Sequence, residues 1–236
     1  MAFYAIGDVH GCARTLAALL DRLADDAGGT LGPSDTLMFV GDYVDRGPDS
    51  PGVIDQLIAL ERASDAGTGP RCVFLRGNHD QMMLDYVDGA GDPELWWANG
   101  GRTTLEAYAT RGDLRLPSDH IEFLRRTPLA AEAAGCVFVH AGLDTQRSVA
   151  DNLENLDPAI ALWTRGHLGA DLSAWEKPVV CGHTPVAEPI DQPRLIGIDT
   201  GAVFVGRTGL GRLTAVALPE RRFVSVDTVD ELSPSA

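Results

Sequence analysis

Basic residues are scarce in this chain: 19 lysines and arginines stand against 34 aspartates and glutamates, a net charge of −15. A field of that sign repels nucleic acid and anionic membranes, so neither is expected as a partner. No apolar run approaches the ~20 residues needed to span a bilayer. The N-terminal stretch Met1–Gly11 carries no basic region and no cleavage site, so it does not read as a signal peptide. Cysteine is thin as well. Cys12, Cys72, Cys136 and Cys181 form no CxxC pair, and the last three sit within apolar runs. Reduced thiols in a cytoplasmic protein fit that usage better than a disulfide framework. Internal repeats, low-complexity tracts and long linkers are also missing.

The 236 residues suit one domain with a sizeable core, expected over 1–230, followed by a loose tail at 231–236. Short apolar runs alternate with helical patterns, which predicts an α/β fold. Phe3–Ile6, Thr36–Val40, Cys72–Leu75, Cys136–Val139, Pro178–Cys181 and Leu195–Ile198 read as buried strands, and Leu213–Leu218 with Phe223–Val226 as a closing hairpin. Helical spacing recurs in Leu16, Leu19, Leu20, Leu23 and in Val53, Ile54, Leu57, Ile58, with Pro51 suited to a first turn. Shorter helices are expected at Gln81–Val87, Arg102–Thr110, Asp119–Arg126 and Pro158–Trp163. The glycine-rich stretch Asp88–Arg102 holds Trp96 and Trp97 and reads as a lid, within a cap segment over 88–127 that shapes access to the site.

Each of the first five predicted strands runs straight into a short polar motif. These are GDVHG (Gly7–Gly11), GDYVDRG (Gly41–Gly47), GNHD (Gly77–Asp80), HAG (His140–Gly142) and GHTP (Gly182–Pro185). Ligands of open α/β sheets gather beyond the carboxyl ends of strands, so the five motifs should converge in space.

Their side chains are oxygen and imidazole donors, a set suited to divalent manganese, iron or zinc. Asp8 and His10 are two apart and share a face of an extended strand end. Asp42 has two oxygens and can bridge cations held about 3.5–4 Å apart. Asp8, His10 and Asp42 would hold one cation; Asp42, Asn78, His140 and His183 would hold a second. Water between two such ions is acidified enough to attack phosphorus in line, so no phosphoenzyme is needed. His79 points elsewhere than Asn78 and is cast as the general acid for the leaving alkoxide, with Asp45 behind its imidazole. Arg46 offers a planar fork matched to phosphate oxygens. Arg76 is either a second phosphate clamp or a member of a structural ion pair.

These motifs, in this order, resemble the phosphoprotein phosphatase family of the calcineurin-like metallophosphoesterase superfamily, over Ala5 to about Leu218. GDVHG, GDYVDRG and GNHD stand where the family has GDxHG, GDxxDRG and GNHE. The resemblance implies a four-layer αββα sandwich with two mixed β-sheets, two catalytic metals on the ligands just named, and an acid pair at Asp45 and His79. It places the phosphate arginines at Arg46 and, through LWTR, at Arg165; Arg76 matches an arginine that precedes GNH in some members. NGGRTTLEAY, HAGL, LWTR and IDTGAV are similar to segments of the bacterial and phage branch. Asp199 then belongs to a loop beside the site, or is a turn residue. Aspartate in GNHD is a shortened carboxylate, expected to loosen the support of the site, and VGRTGLGRLTAV carries a few extra residues before the last strand.

Serine/threonine or dual-specificity phosphoprotein hydrolysis is the implied activity, with a phosphorylated protein or small phosphoester as substrate. Symmetrical diadenosine tetraphosphatases are the rival: they resemble the chain in GDVHG, GNHD and GHTP but usually read GDLVARG, without an acid matching Asp45. A catalytically silent scaffold is disfavoured because every proposed ligand, His79 and Arg46 are present.

Overall fold

Along the first strand, β1 (Phe3–Ile6), Tyr4 and Ile6 enter one apolar layer while Ala5 enters another. That two-residue alternation builds the layering, because successive side chains of a strand face opposite sides. A computed structural model describes residues 1–113 and 115–232; of the expected tail, 233–236 lie outside the described residues. Strands β1, β2 (Thr36–Phe39) and β3 (Arg71–Phe74) run parallel, and β9 (Arg212–Leu218) and β10 (Arg222–Asp227) continue past β1 antiparallel, in the order β10-β9-β1-β2-β3. The second sheet, β4-β5-β6-β8-β7, consists of β4 (Ala130–Ala133), β5 (Cys136–Val139), β6 (Val179–Cys181), β7 (Ile190–Gln192) and β8 (Leu195–Gly197). Within it β5, β6 and β8 are parallel and the two edges antiparallel.

Ala5, Met38, Val40 and Leu75 from the first sheet share a cluster with Phe138, Val180 and Ile196 from the second, so the sheets pack face to face. Helices α1 (Ala13–Asp26), α2 (Ser50–Asp65), α3 (Asn78–Asp88), α4 (Pro93–Trp96), α5 (Arg102–Thr110) and α6 (Ser118–Arg126) lie outside the first sheet. Short helices α7 (Val149–Glu154) and α8 (Pro158–Trp163) cover the second. The result is the expected αββα sandwich. Each fully buried leucine of α1 (Leu16, Leu19, Leu23) contributes about 1.5–3 kcal/mol to holding that layer. Asp49 caps α2 by accepting from Gly52 N–H at 2.8 Å, with Pro51 in the first turn.

Two strands were not expected from the sequence. β4 and β7 are both edges of the second sheet; they are short and half exposed, one reading AAEA and the other IDQ. Edge strands of that kind carry little hydrophobic pattern. α3 begins three residues earlier than expected because Asp80, at its third position, accepts from Gly77 N–H at 2.9 Å and closes the helix start.

Candidate active site

Five non-glycine residues with positive φ lie in the polar motifs: His10 (44°), Asp42 (53°), Asp45 (74°), Arg46 (68°) and His183 (64°). Left-handed backbone is uncommon in such residues and costs energy, so surrounding contacts must hold it. Close packing of the loops supplies them. A Cβ on Gly77 would fall 2.1 Å from Asp42 Oδ1, and one on Gly182 would fall 1.9 Å from Asp8 Oδ1. Only glycine lets these loops, three from the first sheet and two from the second, meet.

His10 Nδ1 donates to Val44 O at 2.9 Å and His140 Nδ1 donates to Val40 O at 3.0 Å. Each imidazole therefore turns its Nε2 inward. Asp42 Oδ2 lies 3.4 Å from both of those Nε2 atoms, between the two rings. Asn78 Oδ1 is 2.9 Å from His140 Nε2 and 2.9 Å from His183 Nδ1. Donor atoms of His10, Asp42 and His79 lie within 4.8 Å of one another, and so do those of Asp42, His140 and His183. Asp8 stands just behind: its Oδ2 accepts from His183 N–H at 2.9 Å, while its buried Oδ1 has no partner. His183 Nε2 is buried and unpartnered too.

Charge is costly here. Burial and the neighbouring Asp199 hold the Asp8 carboxyl well above the usual range. Burial also opposes ionisation of Asp42, but His140 and His79 beside it outweigh that and keep its pKa low. His140 is buried as well, yet Asp42, Asp8 and Asp80 push it up to about 9. Burial, reinforced by His140, pushes His183 down to about 3, and burial with Arg46 lowers His10. A compact set of carboxylates, one amide oxygen and inward imidazole nitrogens, two of its atoms orphaned, is the environment a pair of cations would relieve.

His79 Nδ1 donates to Asp45 Oδ2 at 2.7 Å, and both residues are buried. Burial raises the Asp45 carboxyl, while hydrogen bonds from His79, Thr104 and Trp96 pull it back. His79 N–H, in the first turn of α3, donates to Asp42 Oδ1 at 2.9 Å, so a helix N-terminus faces that carboxylate. Arg46 is half-buried; its Nη1 is 2.6 Å from His10 Nε2 and its guanidinium lies over the Phe204 ring, 5.4 Å from the centroid. Arg165 is exposed at the rim, near enough for its charge to lower the pKa of His183.

Arg76 is not brought to the site. Its guanidinium donates to Thr127 Oγ1 (3.1 Å), Gln81 Oε1 (3.0 Å), Leu124 O (3.1 Å) and Arg125 O (2.8 Å), pinning the end of α6. The expectation of a phosphate clamp there gives way to a structural role, and the partners are neutral acceptors rather than an ion pair. Asp199 fits both descriptions open for it: it is buried near Asp8 and its Oδ1 accepts from Gly201 N–H at 2.9 Å, closing a turn.

Asp80 also departs from expectation. Its shortened carboxylate loosens nothing: Oδ2 accepts from Asp42 N–H and Gly77 N–H, and Oδ1 from Tyr43 N–H, all at 2.9 Å. Its place after GNH at the start of a helix was a readable signal for a capping role. Trp96 and Thr104 carried none; nothing in the sequence ties them to Asp45.

The calcineurin-like phosphoesterase family matches the chain over residues 1–204. Serine/threonine-protein phosphatase 1 of Salmonella typhimurium is 32% identical over 222 residues, covering 89% of this chain and 91% of the relative. The asymmetrical bis(5'-nucleosyl)-tetraphosphatase PrpE of Oceanobacillus iheyensis is 30% identical over 243 residues, covering 94% and 90%. Among solved structures, a serine/threonine phosphatase from Saccharomyces cerevisiae superposes with a TM-score of 0.67 at 16% identity, covering 98% of this chain and 81% of that one, a likeness of fold.

Proposed function

Because the chain belongs to the calcineurin-like phosphoesterase family, we propose that it is a metal-dependent phosphomonoesterase acting on phosphoserine and phosphothreonine in proteins. The observation that carries this reading is the buried His79–Asp45 pair, 2.7 Å apart, whose imidazole reaches the donors of His10 and Asp42. A serine or threonine alkoxide is a strong base and leaves poorly without a proton. A phosphoanhydride leaves as a phosphate, whose second pKa is about 6, and needs such help far less. An imidazole braced by a carboxylate is the device the harder reaction calls for.

Two divalent cations, manganese, iron or zinc, suit this donor set: Asp8, with its orphaned oxygen, would join His10 and Asp42 on one, and Asn78 would join Asp42, His140 and His183 on the other. Bound there, the cations would supply Lewis acidity toward the phosphoryl oxygens and would lower the pKa of water to near neutrality. The protein's own residues do the rest. Arg46 and Arg165 bind the phosphoryl oxygens and offset charge as it builds on them. His79 delivers a proton from its Nε2 to the departing alkoxide, and Asp45 keeps Nδ1 protonated and the ring aimed. The four cysteines are free, in keeping with a cytoplasmic enzyme. Among the described residues no helix is long and apolar enough to cross a membrane.

Dinucleoside tetraphosphate hydrolysis is the second reading, supported by relatives described as tetraphosphatases at nearly the same identity. A panel of phosphoserine, phosphothreonine and phosphotyrosine peptides with diadenosine tetraphosphate, assayed under manganese, separates the two. Faster turnover of the phosphoserine and phosphothreonine peptides is expected. Cleavage of the dinucleotide more than ten times faster, about 1.4 kcal/mol in transition-state binding, would overturn the first reading.

A further inference from the structure

Asp45 has more partners than His79. Its carboxylate also accepts from the indole N–H of Trp96, at 2.9 Å to Oδ2 and 3.1 Å to Oδ1, and from the Thr104 hydroxyl at 2.8 Å to Oδ1. Its own N–H donates to Thr104 Oγ1 at 2.9 Å and to Ser50 Oγ at 3.1 Å. Trp96 ends α4 and Thr104 lies in the first turn of α5, so both come from the cap segment expected over 88–127. Trp96 is fully buried, with the Tyr86 ring tilted against it at 4.7 Å between centroids and Gly101 so close that a Cβ there would sit 2.5 Å from the indole. Its ring has no room to turn. The same segment meets the next residue as well, where Arg46 N–H donates to Gly100 O at 3.3 Å.

We propose that Trp96 and Thr104 are positioning residues that lock the Asp45 carboxylate and, through it, aim His79 at the leaving group. That role rests on His79 acting as the general acid. A carboxylate has about four acceptor sites and a soft terminal torsion. With His79 as its single partner it would swing, and the imidazole would swing with it. Here a rigid indole and a hydroxyl occupy the remaining acceptors from two different helices. Asp45 also keeps a left-handed backbone (φ 74°), a conformation that needs external support. The segment thus acts inward, on proton delivery, as a brace rather than a door. A role in packing alone would affect all substrates equally; a role in aiming the acid affects those whose leaving group needs the proton.

Trp96→Phe keeps an aromatic side chain and removes the five-membered ring with its N–H; Thr104→Val keeps the shape and removes the hydroxyl. Each is assayed on p-nitrophenyl phosphate and on a phosphoserine peptide, beside His79→Asn. General acid catalysis is worth about 10²–10⁴-fold, so a misaimed acid should cost about tenfold in kcat on the phosphoserine peptide and under about threefold on p-nitrophenyl phosphate, with KM little changed. Thr104→Ser should restore the parent values. Equal losses on both esters, or no loss on either, would overturn the proposal. Thr104→Val changes one atom group and decides the matter alone if Trp96→Phe does not fold. Should His79→Asn show the split while both brace variants do not, the brace fails and the catalytic reading stands. Should His79→Asn show no split, the general-acid reading fails and the brace with it.

Discussion

Asp42 Oδ2 and His140 Nε2 are 3.4 Å apart although their strands belong to different sheets. The same oxygen is 3.4 Å from His10 Nε2, which makes Asp42 the shared member of both donor clusters. Asp42→Asn should therefore disturb both cations. Elemental analysis of the purified variant is expected to give well under two metal ions per chain; full occupancy of two would refute the sharing.

His79→Asn should keep its metal. General acid assistance of about 10²–10⁴-fold would be lost on a phosphoserine peptide, with a much smaller loss on p-nitrophenyl phosphate. Equal losses on both substrates would remove His79 from that role.

Arg46 and Arg76 should part ways. Arg76→Ala deletes the donors that hold Thr127 and the end of α6, so the thermal midpoint should drop while KM stays within about twofold, as expected for lost partly buried hydrogen bonds worth about 1 kcal/mol each at most. Arg46→Ala should do the reverse, leaving the melting curve nearly in place and cutting kcat/KM by at least about 100-fold. A raised KM in Arg76→Ala would return it to the substrate.

Asp80→Ala would strip three buried backbone N–H groups of one shared acceptor. Unfolding in denaturant should show a loss of about 3 kcal/mol or more. Activity should fall as well, because two of those N–H groups belong to Asp42 and Tyr43. A loss under about 1 kcal/mol would mean that water replaces the carboxylate.

His167 gives a pH signature. It is buried, with Nδ1 unpartnered, and burial pushes its pKa from 6.5 down to about 4. The unfolded chain thus binds a proton between those values that the folded chain does not. Stability from this group is whole above about pH 6.5 and is lost as pH falls toward 4. Between pH 7 and 5 the wild type should lose about 2 kcal/mol more than His167→Leu. Parallel pH curves for the two proteins would rule this out.

Much of the site was legible because its chemistry is local. Asp8, His10, Asp42, Asn78, His140 and His183 each follow an apolar strand within four residues, and a strand end fixes where such a residue goes. β1, β5, α5 and α8 have the bounds their patterns predicted. Contacts between distant segments were not legible. Arg76 sits beside the site in sequence, and three of its four partners, Thr127 and the carbonyls of Leu124 and Arg125, lie about fifty positions away. Trp96 looked like part of a cover because a glycine-rich stretch with tryptophans gives no hint of which face is buried. β4 and β7 escaped because edge strands are not bound to alternate.

Asp8 Oδ2 and the His183 N–H join the two sheets directly, in the space that Gly182 leaves open. Donors from both sheets would therefore clasp the same pair of ions, making metal loading and sheet docking one thermodynamic event. A ligand held at 100 times its dissociation constant stabilises the state that binds it by about 2.7 kcal/mol. Chelation should accordingly loosen the whole sandwich rather than a single loop, with amide exchange quickening on β1 and β6 together.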